Sequence, residues 1–149
     1  MKIFILEDNK ARIDFFAKEF FFDSSIELIV ATDIDNAIKS YEKNKDFDFV
    51  FLDYDLDNQV FIDSNKENTG AEFVRYLIKN HEGKNSIYLC HSLNTVGRAY
   101  MFNTLKDYGY NAYNFDFMTI LKNKGRMKKI LWELKRFDRI KKEKKWVKF

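Results

Sequence analysis

Three apolar runs in this sequence end in side chains that can do chemistry. Lys2-Ile3-Phe4-Ile5-Leu6 leads into Glu7-Asp8. The run closing at Leu52 leads into Asp53-Tyr54-Asp55, and Ile87-Tyr88-Leu89-Cys90 leads into His91-Ser92-Leu93-Asn94. Carboxylates crowded into one volume repel and raise one another's pKa, and a divalent cation relieves this. Carboxylate oxygens suit Mg²⁺ or Mn²⁺, with Ca²⁺ for a looser site. Glu7, Asp8, Asp53 and Asp55 are therefore the candidate metal set, Asp55 because strand periodicity returns it to the face of Asp53. The plainer reading is that such acids cap helices or face water, and Asp57 and Asp63 fit it better than Asp8 and Asp53 do. His91 either gives a proton to a leaving oxygen, holds a phosphate as imidazolium, or packs against a neighbouring acid. Ser92 and Asn94, with Thr95 opening a helix, offer hydroxyl, amide and backbone N–H groups to a phosphate. His81 lies at a helix exit and reads as solvated.

The elements that must position these groups alternate. The first apolar run and Phe47–Leu52 are too short and too apolar for surface helices and read as strands buried on both faces. Ser25–Ala31 alternates and reads as a more peripheral strand; Ile87–Cys90 and Tyr110–Tyr113 complete five. Between them, helical spacing predicts helices over Asn9–Phe22, Asp35–Asn44, Ala71–Lys79 and Thr95–Asp107. Asp8 or Asn9 caps the first, and Gly109 ends the fourth. A final helix is expected from Thr119, with Ile120, Met127, Ile130, Leu131, Leu134 and Phe137 as its buried stripe. The order βαβαβαβαβ-α implies a doubly wound parallel sheet with right-handed crossovers. In such a sheet, ligands bind at the carboxyl ends of the strands, where the polar clusters stand.

The totals bound the rest. A chain of 149 residues is one domain on size, taken as 1–149, with 57–69 an inserted active-site loop and 119–149 a basic helix and tail. One cysteine, Cys90, gives no disulfide framework and points to a reducing, cytoplasmic setting. No apolar stretch reaches the ~18 residues of a membrane span, and the start does not read as a signal peptide. Net charge is +3, but residues 1–121 carry 13 basic and 20 acidic side chains and residues 122–149 carry 13 and 3. An acidic body thus carries a basic tail. The tail either solvates a helix end or contacts nucleic-acid phosphates, with Trp132, Trp146 and Phe149 free to stack; Phe149 could equally pack in a homodimer.

Ile5-Leu6-Glu7-Asp8, Phe49-Val50-Phe51-Leu52-Asp53, Gly70 and Ser92 resemble the receiver domain of two-component response regulators over about residues 1–121. The resemblance implies a three-layer α/β/α sandwich with a flavodoxin-like strand order 2-1-3-4-5 and Asp53 as the phospho-accepting residue. Two departures are plain. Asn114-Phe115-Asp116 stands where a receiver has a lysine, and sixteen residues without proline separate Asp53 from Gly70. Asp53-Tyr54-Asp55-Leu56, Phe61-Ile62-Asp63-Ser64, Glu67-Asn68-Thr69-Gly70 and His91-Ser92-Leu93-Asn94 together resemble the cyclic-phosphate processing receiver family, found in bacteria and phages. That family usually has histidine where this chain has Tyr54.

The family resemblance implies a metal-dependent phosphoesterase that opens a cyclic phosphate on a nucleotide or RNA end. Asp53, His91 and Asp55 would be catalytic, with Asn68, Thr69, Ser92 and Asn94 orienting the phosphate. Asp53 either holds the metal or attacks phosphorus. Two alternatives stay open: a phospho-accepting switch, and a binding protein acting through its basic tail or a homodimer.

Overall fold

The computed structural model describes residues 1–56 and 68–145. Five parallel strands, β1 (Lys2–Leu6), β2 (Glu27–Ala31), β3 (Phe49–Leu52), β4 (Ile87–Cys90) and β5 (Asn111–Asn114), form one sheet in the order β2-β1-β3-β4-β5. The helices are α1 (Lys10–Phe20), α2 (Ile34–Asn44), α3 (Gly70–Lys79), α4 (Thr95–Asp107), α5 (Phe117–Lys122) and α6 (Met127–Lys145). This is the expected receiver-like α/β/α arrangement. The inserted loop lies, apart from Asn68 and Thr69, outside the described residues, as do Trp146 and Phe149.

Strands β1, β3 and β4 are buried on both faces because each side of the sheet has its own core. Phe4, Leu6, Val50, Leu52, Tyr88 and Cys90 face one way, onto Ala37, Tyr41, Phe73, Leu77, Met101 and Leu105 of α2, α3 and α4. Ile3, Ile5, Phe49, Phe51, Ile87 and Leu89 face the other, onto Phe16, Phe20, Ile120, Met127 and Leu131 of α1, α5 and α6. The strict alternation is the period-2 geometry of the strand. Its register sets Leu6 beside Leu52, and Leu52 beside Cys90.

Local chemistry sets the helix starts. Asn9, Asp33, Asn94 and Asp116 each accept a backbone N–H of the first turn, from Arg12, Asn36, Gly97 and Thr119 respectively. The single final helix expected from Thr119 is corrected to two. Gly125, at φ +77, has the left-handed backbone that breaks a helix cheaply only at glycine, and its N–H is taken by the Glu19 carboxylate. Phe137, expected in the buried stripe, is 51% exposed. Beyond the break α6 turns across the amino-terminal edge of the sheet, where Lys135 pairs with Asp48 at 2.5 Å and Asp138 accepts Asn111 Nδ2 at 2.8 Å.

Gly70 shows how tightly α3 closes on the end of β3. A Cβ at this position would lie 2.0 Å from the Asp53 carbonyl oxygen and 2.8 Å from Met101 Sδ. Backbone cannot yield as a flexible side chain does, so Gly70→Ala should destabilise the protein by about 1–3 kcal/mol. Urea unfolding of the two proteins checks this; equal midpoints would mean that α3 is free to shift away from Asp53.

Candidate functional site

The residue after each central strand continues its hydrogen-bond ladder for one more rung. Asp53 N donates to Leu6 O, and His91 N to Leu52 O, both at 3.0 Å. Glu7 follows Ile3 and Ile5, Asp53 follows Phe49 and Phe51, and His91 follows Ile87 and Leu89. The three side chains therefore share one face and one row, on neighbouring strands spaced ~4.8 Å apart. Each offers a ligand atom, and these atoms lie within 4.8 Å of one another. All three residues are buried.

Two carboxylates at such a spacing repel by roughly 3–4 kcal/mol at an effective dielectric constant near 20. The protein answers with Arg12. Its Nε lies 2.9 Å from Glu7 Oε2, and its Nη2 lies 2.9 Å from Glu7 Oε1 and 3.0 Å from Asp53 Oδ2. This is a charge-assisted fork that a lysine could not reproduce. Glu7 also accepts Asn9 N and lies 2.9 Å from His91 Nε2. Burial pushes the Glu7 carboxyl up, but His91 and Arg12 outweigh it and hold the pKa at about 2. Asp53 lies on the other side of the balance. Burial and the Glu7 charge raise its pKa to about 6, against the pull of His91, Arg12 and the Ser92 hydroxyl.

The His91 ring is enclosed by Phe16, Phe51 and Phe117, with centroids 5.4, 6.1 and 6.3 Å away. Its Nδ1 is buried without a hydrogen-bond partner among the described residues. The imidazole thus meets the pocket through Glu7. Ser92 bonds Asp53, and its Oγ also accepts Asn94 N. Asn94 caps α4 through Gly97 N and holds Asp55 Oδ1 with its amide at 3.2 Å. Asp55 also bridges Thr69 through the backbone. Thr69 Oγ1 is buried and unpartnered among the described residues, whereas Asn68 Oδ1 turns to Ile34 N at the start of α2. Asp8 is half-buried beside the row and adds its charge to the field on Arg12. Of the four expected metal residues, the close group therefore contains Glu7 and Asp53, joined by His91; Asp8 and Asp55 stand outside it.

The donor set fits a divalent cation, since carboxylate oxygens suit Mg²⁺, Mn²⁺ or Ca²⁺. Glu7 and Asp53 would hold it. Sequence reasoning missed two arginines. Arg12 carried a signal: a cation in the first turn of a helix opposes the macrodipole, and α1 has no acid there. Arg98 spans Ser92 O at 2.5 Å and Asn114 Oδ1 at 2.6 Å, next to the position where a lysine is absent.

The raised Asp53 pKa has a signed consequence. A carboxyl whose pKa is higher folded than unfolded contributes stability below pH ~4 that is lost as pH rises through about 6. Asp53→Asn should then unfold at higher urea than wild type at pH 7, by about 1–3 kcal/mol, with the gap closing near pH 4. Glu7 has the opposite sign. Its depressed pKa adds stability above pH ~4.5 that is lost as pH falls towards about 2, so Glu7→Gln should be less stable than wild type at pH 7.

Comparison with solved structures finds the same fold at low identity. The response regulator domain of Thermotoga maritima CheB is 12% identical, with a TM-score of 0.61 over 91% of this chain and 96% of that one. The Mn²⁺-bound response regulator Rcp1 is 18% identical, with a TM-score of 0.55 over 83% and 88%. A Burkholderia pseudomallei response regulator, crystallised with a phosphorylated aspartate, calcium and citrate, is 17% identical, with a TM-score of 0.54 over 94% and 74%. No curated protein matches the chain in sequence. Residues 1–107 match the cyclic-phosphate processing receiver domain, and the chain belongs to that family.

Proposed function

We propose that this pocket handles a phosphorus centre at Asp53, as a receiver-type phospho-acceptor. The observation that carries the reading is the position of the Asp53 carboxylate. It stands at the carboxyl end of a central strand, flanked by Glu7, bridged by Arg12 and touched by Ser92. Such an oxygen attacks phosphorus: a bond forms from Asp53 to phosphorus, the bond from phosphorus to the leaving oxygen breaks, and that oxygen takes a proton. With a pKa of about 6, Asp53 is mostly ionised at neutral pH, as a nucleophile must be. Arg12 balances the charge that collects on the phosphoryl oxygens. A divalent ion held by Glu7 and Asp53 would supply further Lewis-acid polarisation.

The family description favours a cyclic phosphate ester as the donor, with the ring alcohol as leaving group. The same attack would open the ring and leave an acyl phosphodiester on Asp53, and water would then hydrolyse it, returning the carboxylate and releasing the ring-opened phosphomonoester. His91 would act by holding Glu7 in place, while Thr69 Oγ1, buried and unpartnered among the described residues, is a donor suited to a phosphate oxygen. The two donors are told apart by incubating wild type and Asp53→Asn with acetyl phosphate and Mg²⁺, then with 2′,3′-cyclic nucleotides. Wild type alone should gain one phosphoryl group by intact mass, and cyclic-ester turnover lost in Asp53→Asn would identify the substrate class. The absence of both a mass gain and turnover would sink the assignment.

A nucleic-acid contact at the opposite edge of the sheet has one specific support. A groove of about 540 Å³ there is lined by Ile87, Trp132, Arg136 and Arg139, on a helix with nine Lys or Arg and three acids. Lys135 and Lys142 are paired with Asp48 and Asp138 and Arg139 lies 3.8 Å from Glu143, which leaves Arg136, among the described residues, as the groove's cation for a phosphate. Single-stranded RNA binding that weakens with salt and falls further in an Arg136→Ala, Arg139→Ala double variant is the expected result. Salt-independent binding, or none, would reduce the helix to a solvated flank. Among the described residues, no helix is long and apolar enough to cross a membrane.

A further inference from the structure

The gap between Glu7 and Asp53 already has a cation in it. Arg12 Nη2 touches an oxygen of each carboxylate, at 2.9 and 3.0 Å, where a shared metal ion would take its ligands. The neighbouring lone pairs are also in use, by Asn9 N, His91 Nε2 and Tyr54 N. A divalent ion sits about 2.1 Å from its oxygens, which would press it against Nη2 and set like charges in contact. Guanidinium and metal therefore exclude each other.

Arg12 is placed to move. It stands in the first turn of α1, and its side chain is 16% exposed while that of Glu7 is fully covered. Its backbone N–H is capped by Asn9, so the side chain can swing without disturbing the helix start. Its guanidinium also lies over the Phe117 ring, 5.7 Å away.

We propose that Arg12 is a built-in counter-ion that competes with a divalent cation for Glu7 and Asp53, so that metal uptake is an exchange that releases the guanidinium to the pocket mouth. The apo site then needs no metal to stay folded. A released guanidinium faces an incoming phosphate, so metal and phosphate favour each other's binding; that last consequence rests on the phosphate reading above, and the exchange does not.

Mn²⁺ titration followed by electron paramagnetic resonance of the free ion tests the exchange on wild type, Arg12→Gln, Arg12→Lys and Asp53→Asn. Arg12→Gln should bind Mn²⁺ roughly tenfold or more tightly than wild type. Arg12→Lys, which keeps the charge, should gain less, and Asp53→Asn should bind poorly. Thermal midpoints give a second readout that does not need every variant to be stable without metal. Arg12→Gln should melt below wild type in chelator and climb more steeply with Mn²⁺. Wild-type binding as tight as that of Arg12→Gln, equal gains in the Gln and Lys variants, or no Mn²⁺ binding by any protein would each overturn the proposal. Failure of phosphorylation at Asp53 would leave it standing.

Discussion

Two buried carboxylates on neighbouring strands are the constraint on which the rest of the site depends. Glu7 and Asp53 lie buried in one row at the end of the sheet. Left alone, one would have to keep a proton. Arg12 changes that by neutralising one charge of the two, and the residue that feels the remainder is Asp53. Its pKa is raised while that of Glu7 is depressed. The pair is thereby divided into a firmly ionised carboxylate that holds the arginine and histidine, and one whose charge is held less firmly.

The surroundings follow from that division. His91 is packed among phenylalanines and, among the described residues, is hydrogen-bonded to Glu7, which fixes that carboxylate. Ser92 and Asn94 tie Asp53 and Asp55 to the start of α4. On that helix Gly97 has no room for a side chain, because a Cβ would lie 2.3 Å from the Tyr54 ring. Gly70 is closed off by the Asp53 backbone itself. These contacts fasten Asp53, Tyr54 and Asp55 after β3, and Ser92 and Asn94 after β4, to the starts of α3 and α4, so the carboxylate row rests on a packed frame.

The chemistry is asymmetric along the sheet. The acidic row lies at the carboxyl ends of the strands, where a doubly wound sheet leaves its crevice. The basic helix α6 crosses the opposite edge, fastened by Lys135 to Asp48 and by Asp138 to Asn111. The uneven charge of the sequence is therefore a separation in space, and part of the basic charge is spent holding α6 down.

Composition and periodicity were enough for the sheet, its helices and the gathering of polar residues at the ends of β1, β3 and β4, because apolar runs of this length have few other ways to be buried. Glu7, Asp53, His91, Ser92 and Asn94 were legible as candidates for the same reason: polar residues directly after buried strands must sit at that edge. Which of them meet was not legible. Strands buried on both faces carry no polar alternation to reveal their phase, so the sharing of one face by Glu7, Asp53 and His91 waited on register and strand order. Asp8 and Asp55, equally acidic, fall outside the row by phase and by the course of the loop. Arg12 is five residues from Glu7 in sequence but forty-one from Asp53, and only the parallel pairing of β1 with β3 brings both carboxylates under one guanidinium. Local sequence determined the elements and their polar ends; tertiary structure decided the site, because an ion pair between strands is set by register, which a single strand does not encode.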